Sequence, residues 1–212
     1  MSQNEVVGRV VGLRAFPVKS MDAGPLARAR VLTTGVEHDR SWAVVDGDGQ
    51  VLTARTVDAL RTVRAAIRDD VPTLIFPGSD AALTGDQAHA ALAALAGRPV
   101  SVQAATSGVA GFNEVAPVHL VSRQAIEHGA DHDADHDDHG QQCPCSVEEP
   151  RANLVLDLSG DQRETAWVGA RLSVGGAVLR VSKAPKHCLG VYADVITEGE
   201  VAEGDEVTLS RD

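Results

Sequence analysis

The stretch "SWAVVDGDGQVLTAR", from Ser41 to Arg55, predicts the fold class most directly. Two short runs rich in valine and leucine, 41–46 and 50–55, lie on either side of "DGDG". Asp-Gly pairs accept the positive φ angles of tight turns, so the two runs are predicted to be strands of a β-hairpin. Apolar runs of this length bounded by Gly and Asp are typical of strands.

The same kind of short apolar run recurs along the rest of the chain. Each run is only a few residues long and is bounded by turn-forming residues, which favours strands over buried helices. The further predicted strands are "RVVGLRAFPV" (9–18), "RARVLTT" (28–34), "TLIF" (73–76), "PVSVQAA" (99–105), "PVHLVS" (117–122), "RANLVLDL" (151–158), "ARLSVGGAVLRVSKA" (170–184) and "DEVTLSR" (205–211). A tight turn is predicted within 199–207, before the last of them.

Helical periodicity occurs in only a few places. Apolar residues at helical spacing predict a helix over 56–70. A second helix is predicted over 85–97, with Asp86 as its N-cap and Gly97 just past its end. A short helix is expected over 123–129. Helices and strands do not alternate regularly along the chain. This order indicates an α+β fold that is predominantly β, with barrel-like mixed sheets and a few helices.

Composition limits the function classes. The chain has 212 residues, enough for one large domain or two small ones, and 43% of them are hydrophobic. Three cysteines are too few for a disulfide framework, which favours a reducing, cytoplasmic compartment. A net charge of −11 argues against a nucleic-acid partner. No apolar run approaches the length of about 20 residues that spans a bilayer, so no membrane association is expected.

Several cationic residues lie at the ends of predicted strands in the first third of the chain. Lys19 and Ser20 could place an ammonium and a hydroxyl on one anion, although a solvated strand end would give the same pattern. Arg40 follows Asp39, which could orient it, or the two could form a surface ion pair of little energetic value. Arg55 lies where a strand gives way to the predicted helix, a position that suits anions unless it is a simple edge charge.

The last third of the chain offers three more candidates. Arg151 and Asn153 are two residues apart, so on a strand both side chains would lie on the same face and could bind one ligand. Cys188 follows Lys186 and His187, whose charges could lower the pKa of its thiol. The alternative for Cys188 is a small buried apolar residue.

These stretches together resemble the MOSC superfamily, named for the C-terminal domain of molybdenum cofactor sulfurase. The N-terminal similarity, to that family's β-barrel partner domain, is carried by "PVKS" (17–20), "GVEHDRSW" (35–42) and "TAR" (53–55). The C-terminal similarity is carried by "PRANLVLD" (150–157), by Cys188 and by "GVYADVITEGEVAEGDEVTL" (190–209). The resemblance implies an N-terminal β-barrel-like domain over 1–100 and a MOSC domain over 101–212.

The resemblance, which extends to the amidoxime-reducing component and its bacterial relatives, also implies a cofactor. In the enzymes of the family the molybdenum cofactor (Mo-molybdopterin) lies between the two parts. Carried over to this chain, Cys188 would be the catalytic residue and the protein ligand of the metal. The pterin and its phosphate would be bound by Lys19, Ser20, Arg40, Arg55, Arg151 and Asn153.

The expected function is that of a molybdenum-dependent oxidoreductase that reduces N-oxygenated or S-oxygenated small molecules. Nothing in the chain resembles a flavin, haem or iron–sulfur motif, so an external electron-donor protein is implied. The alternative is a sulfur carrier with a persulfide on Cys188, or a protein that handles the cofactor without redox turnover. A storage or carrier protein for the cofactor is a third possibility.

Two features depart from the reductase pattern. A longer segment usually follows the cysteine in the reductases and shapes the substrate side, whereas Cys188 runs almost directly into "LGVYADV". The MOSC part also has an acidic insertion over 129–149, rich in His and Asp, which includes Cys143 and Cys145. Like-charge tracts of this kind are usually solvated and disordered. A divalent metal site or a role at the mouth of the active site are the other interpretations.

Overall fold

The computed structural model of the chain describes residues 4–105, 112, 115–132, 150–185 and 188–211, without the side chains of 129–132. The strands are β1 (Asn4–Leu13), β2 (Asp22–Ala23), β3 (Arg28–Leu32), β4 (Gly35–Val36), β5 (Trp42–Asp46), β6 (Val51–Leu52), β7 (Arg64–Arg68), β8 (Val71–Ile75), β9 (Ala82–Leu83), β10 (Val100–Ala104), β11 (Val118–Ser122), β12 (Leu154–Leu158), β13 (Arg171–Val174), β14 (Ala177–Lys183), β15 (Val191–Thr197), β16 (Gly199–Ala202) and β17 (Glu206–Ser210). The α-helices are α1 (Gly85–Ala96) and α2 (Arg123–His132), and short 3-10 helices lie at Asp58–Thr62 and Glu164–Trp167. The predicted α+β class, predominantly β, is confirmed.

The chain folds into two compact units, and each is made of more than one segment. The barrel unit comprises Met1–Arg14, Pro25–Glu37 and Val115–Asp212. The small-sheet unit comprises Ala15–Gly24 and His38–Glu114. In this division β1 and β3 belong with the C-terminal strands, and the family domains that the resemblance implies over 1–100 and 101–212 stay a prediction. None of the helices in the described part of the chain is long and apolar enough to cross a membrane.

The barrel unit is built around a closed barrel with the strand order β1-β12-β11-β15-β14-β13-β17. Alternate residues of its strands are buried, as Leu154, Leu156 and Leu158 are in β12. This period of two places one face of each strand inside the barrel. All five residues of β11 are buried, and this strand pairs with β12 in parallel and with β15 in antiparallel fashion.

The small-sheet unit has two sheets and a helix. Its sheets have the orders β10-β5-β6 and β2-β7-β8-β9. The β5–β6 hairpin is the one predicted from Asp-Gly: Asp46 accepts hydrogen bonds from the backbone N–H groups of Asp48 and Gln50, and Gly49 has φ 79°. The buried core of this unit is aliphatic, and its members are Val18, Met21, Val44, Leu52, Leu60, Val63, Ala65, Leu74, Ala88 and Leu92.

The helix predicted over 56–70 is wrong. That segment contains the 3-10 helix Asp58–Thr62 and then β7, which pairs with β8. Asp69 and Asp70 form the two-residue connection with φ values of 50° and 60°, as tight hairpin turns require. Pairing with β8 and burial of Ala65 outweigh the helical spacing of the apolar residues.

Other boundaries also differ from the prediction. The first strand covers Asn4–Leu13 instead of 9–18, and the strand predicted over 50–55 is limited to Val51–Leu52. The N-cap of α1 is Thr84, while Asp86 lies in the first turn. The end of α1 is as predicted, because Gly97 takes the left-handed conformation that favours glycine (φ 68°).

Candidate functional site

In the small-sheet unit, Arg40 is held in place by a buried carboxylate and an aromatic ring. The side chain of Asp39 is 1% exposed and pairs with Nη1 of Arg40. The other oxygen of Asp39 accepts the backbone N–H of Phe16 at 2.7 Å. The guanidinium carbon of Arg40 lies 5.2 Å from the centre of the Phe16 ring, which is a favourable cation–π distance.

The backbone of the same segment also fixes Arg40. Its N–H donates to the carbonyl of Phe16 at 2.7 Å, and its φ of 50° lies in the left-handed region, which is uncommon for a residue with a side chain. Strained backbone of this kind persists only where the surrounding structure imposes it. The Arg40 side chain is 18% exposed, so its guanidinium is ordered and still reaches the surface of the unit.

Lys19 and Arg40 both contact Phe112. Nζ of Lys19 donates to the carbonyl of Phe112 at 3.2 Å, and the N–H of Phe112 donates to the carbonyl of Arg40 at 2.8 Å. Ser20, the neighbour of Lys19, is half-buried and has φ 69°. Phe112 therefore links the Lys19 side chain to the backbone of Arg40, two residues that are 21 positions apart in the sequence.

Arg55 is placed differently from the other two cations of this unit. It is exposed, and its backbone N–H donates to Oγ1 of Thr53 within its own turn, at 3.3 Å. The expected α-helix N-terminus is not formed after it, because the 3-10 helix that follows is only five residues long. Anion binding by Arg55 stays a prediction, and it no longer has support from a helix dipole.

In the barrel unit, Cys188 is a partly buried thiol in the connection between β14 and β15. Two contacts hold the residues that follow it against β11. The carbonyl of Leu189 lies 2.8 Å from Nε2 of His119. Gly190 has φ 86°, and a Cβ at this position would lie 2.1 Å from the carbonyl oxygen of Leu120, so only glycine fits here.

Arg151 and Asn153 precede β12 and are not part of it, so the same-face argument from a strand does not apply. Arg151 is half-buried. The Asn153 amide is buried and binds backbone groups. Its Oδ1 accepts the N–H of His119 at 3.0 Å, and its Nδ2 donates to the carbonyl of Arg14 at 3.3 Å. Asn153 thus joins three segments of the barrel unit, and its predicted contact with a ligand stays a prediction.

His119 is the residue that sequence reasoning missed. It lies in β11, is 9% exposed, and its ring packs on Tyr192 with the ring centres 4.8 Å apart. It contacts both Asn153 and the residue after Cys188. The available signal was a histidine next to the apolar run Leu120–Val121 in a strand that is wholly buried.

Some of the predicted features lie outside the described residues. These are Lys186, His187 and residues 133–149, which make up most of the acidic insertion and include Cys143 and Cys145. Within the described part of the chain, no group of three or more His, Cys, Asp or Glu side chains is arranged to hold a metal ion.

Comparison with known proteins identifies the family. Residues 7–117 match the MOSC N-terminal beta barrel domain, which is more than half of the chain. The chain therefore belongs to the MOSC N-terminal β-barrel family. Curated proteins give no match. Among solved structures, the YUAD protein from Bacillus subtilis is similar, with 11% sequence identity, 100% of both chains covered and a TM-score of 0.48.

Proposed function

We propose that the protein is a molybdenum-cofactor-binding oxidoreductase that reduces N-oxygenated or S-oxygenated small molecules. Its family is associated with the molybdenum cofactor. The observation that carries the proposal is that the Lys19 ammonium and the backbone of Arg40 both bind Phe112, because the family resemblance assigns both residues to the cofactor.

Lys19 and Arg40, both in the small-sheet unit, are suited to an anionic group such as the phosphate of a pterin cofactor. Arginine presents a planar fork of N–H donors that matches phosphate oxygens, and lysine adds a compact positive charge. Because Asp39 and Phe16 already fix the guanidinium of Arg40, little side-chain entropy is lost when an anion binds.

The thiol of Cys188, in the barrel unit, is chemically suited to bind a metal. A thiolate is a soft ligand and suits a thiophilic metal such as molybdenum. When bound, the cofactor would supply oxygen-atom transfer with two-electron redox chemistry, which no side chain provides. The protein's own contribution would be to hold the thiol of Cys188 in a fixed, half-buried position. Electrons would come from a separate donor protein.

The test is the molybdenum and pterin content of protein purified from a molybdenum-replete host. We expect about one equivalent of each per wild-type chain. Arg40→Ala should lower pterin content about tenfold or more, because a hydrogen bond to a charged group contributes about 1.5–3 kcal/mol. Arg68→Ala, which removes an exposed arginine of the same unit, is the control and should change nothing. Metal-free wild-type protein without pterin would contradict the proposal.

The alternative is that Cys188 carries sulfur as a persulfide and no redox turnover takes place. The partial exposure of the thiol favours this candidate, since a sulfur donor could reach it. Treatment with cyanide distinguishes the two, because a persulfide releases thiocyanate. Thiocyanate from wild-type protein but not from Cys188→Ser, together with the absence of molybdenum, would support the sulfur carrier.

A further inference from the structure

We propose that His119 is a positioning residue for Cys188. The functional reason for this role rests on the proposed function, since a metal ligand or a sulfur carrier needs its thiol in a defined position. It concerns the contact between the His119 ring and the carbonyl of Leu189, the residue directly after the cysteine.

The geometry defines which atom donates in this contact. A carbonyl oxygen only accepts hydrogen bonds, so the 2.8 Å contact requires a proton on Nε2 of His119. Two further contacts hold His119 in place. It packs on Tyr192, the residue paired with it across β11 and β15, and its backbone N–H is bound by the buried amide of Asn153.

The two residues that follow Cys188 therefore both contact β11. His119 binds the carbonyl of Leu189, and the backbone of Leu120 lies against Gly190, where no Cβ would fit. Because residue 190 is glycine, its backbone can lie directly against Leu120. The hydrogen bond from His119 fixes the orientation of the Leu189 carbonyl, one residue closer to the cysteine. Loss of this hydrogen bond should leave β11 intact but allow local opening of the backbone next to Cys188, which would expose the thiol to solvent more often.

The test measures how fast iodoacetamide labels Cys188 in the full chain. The chain has three cysteines, so replacing Cys143 and Cys145 with serine leaves Cys188 as the only thiol. Labelling of every variant is followed by intact mass at one fixed pH, about one unit above the free-thiol pKa of about 8.5.

His119→Phe keeps an aromatic ring against Tyr192 but has no donor. We expect it to be labelled about fivefold faster or more, which corresponds to the loss of one net hydrogen bond. His119→Gln, whose side-chain N–H can reach the same carbonyl, should restore a rate close to that of wild type. His128→Phe is the matched control, because His128 is an exposed histidine of the same unit whose Nδ1 also contacts a backbone carbonyl.

Two results would overturn the proposal. One is a wild-type labelling rate in His119→Phe, and the other is a folded His119→Gln that is labelled as fast as His119→Phe. If His119→Phe does not fold, the wild-type protein decides, because long-range nitrogen–proton NMR spectra identify the protonated ring nitrogen. A proton on Nε2 of His119 supports the contact, and its absence there rules the contact out. These readouts do not need the cofactor, so they are independent of the metal and pterin content that tests the proposed function.

Discussion

Asp39→Asn tests whether a buried carboxylate fixes the arginine that we assign to anion binding. The Asp39 side chain is 1% exposed, and its two oxygens bind the N–H of Phe16 and the guanidinium of Arg40. Asparagine keeps the shape of the side chain and one acceptor oxygen, but it removes the negative charge. The bond to Phe16 can therefore survive, while the ion pair with Arg40 cannot.

The expected loss of stability follows from the exposure of the two partners. Removing one member of a fully buried ion pair costs about 3–5 kcal/mol. The Arg40 side chain is 18% exposed, so water can partly solvate it when the carboxylate is gone. A hydrogen bond to a charged group contributes about 1.5–3 kcal/mol, and with this partial compensation we expect a loss of about 2 kcal/mol.

The assay is urea unfolding of wild type, Asp39→Asn and a matched control, Asp22→Asn. Asp22 lies in the same unit and pairs with Arg64 at 3.9 Å, with the two side chains 39% and 60% exposed. Exposed pairs of this kind contribute about 0–1 kcal/mol. The reasoning is refuted if the two variants lose the same free energy of unfolding. In that case the burial of Asp39 would not make its pairing with Arg40 stronger than a surface contact.

Three further changes have defined outcomes. Gly190→Ala should destabilise the protein by more than about 1 kcal/mol in urea unfolding, because it combines a positive φ with a clash against Leu120. Asn153→Ala should cost about 2 kcal/mol or more, since the buried N–H of His119 and the partly buried carbonyl of Arg14 lose their hydrogen bonds. The N–H of Thr33 lowers the pKa of Glu198 below its ordinary value of 4.5, so wild type should be more stable than Glu198→Gln above that pH. This difference should vanish as the pH falls through the lowered pKa, as pH-dependent unfolding would show.

Local features of the fold were predictable where the sequence alone determines the backbone. The β5–β6 hairpin follows from Asp-Gly, and the end of α1 follows from Gly97, because both depend on a positive φ at one residue. The segment 56–70 was not predictable in this way. Its apolar residues fit a helix equally well, and only β8, which pairs with it across Asp69 and Asp70, makes it a strand.

The candidate site was predictable as a set of residues but not as an arrangement. Lys19 and Arg40 could be selected because they are cations in motifs that resemble a known family. Their connection depends on Phe112, which is 93 positions from Lys19 and belongs to no motif. No pattern of spacing within either motif indicates that contact, since Phe112 lies far along the chain from both motifs.

In the barrel unit, too, the sequence identified candidate residues but not the contacts between them. Arg151 and Cys188 were selected from separate stretches, and neither stretch contains His119. The structure joins them through that residue, because Asn153 binds the backbone of His119 and the ring of His119 binds the carbonyl after Cys188. A change in the position of β11 would therefore move both segments together. For this reason we expect His119, which is buried in the barrel unit, to affect the geometry around Arg151 as well as that of Cys188.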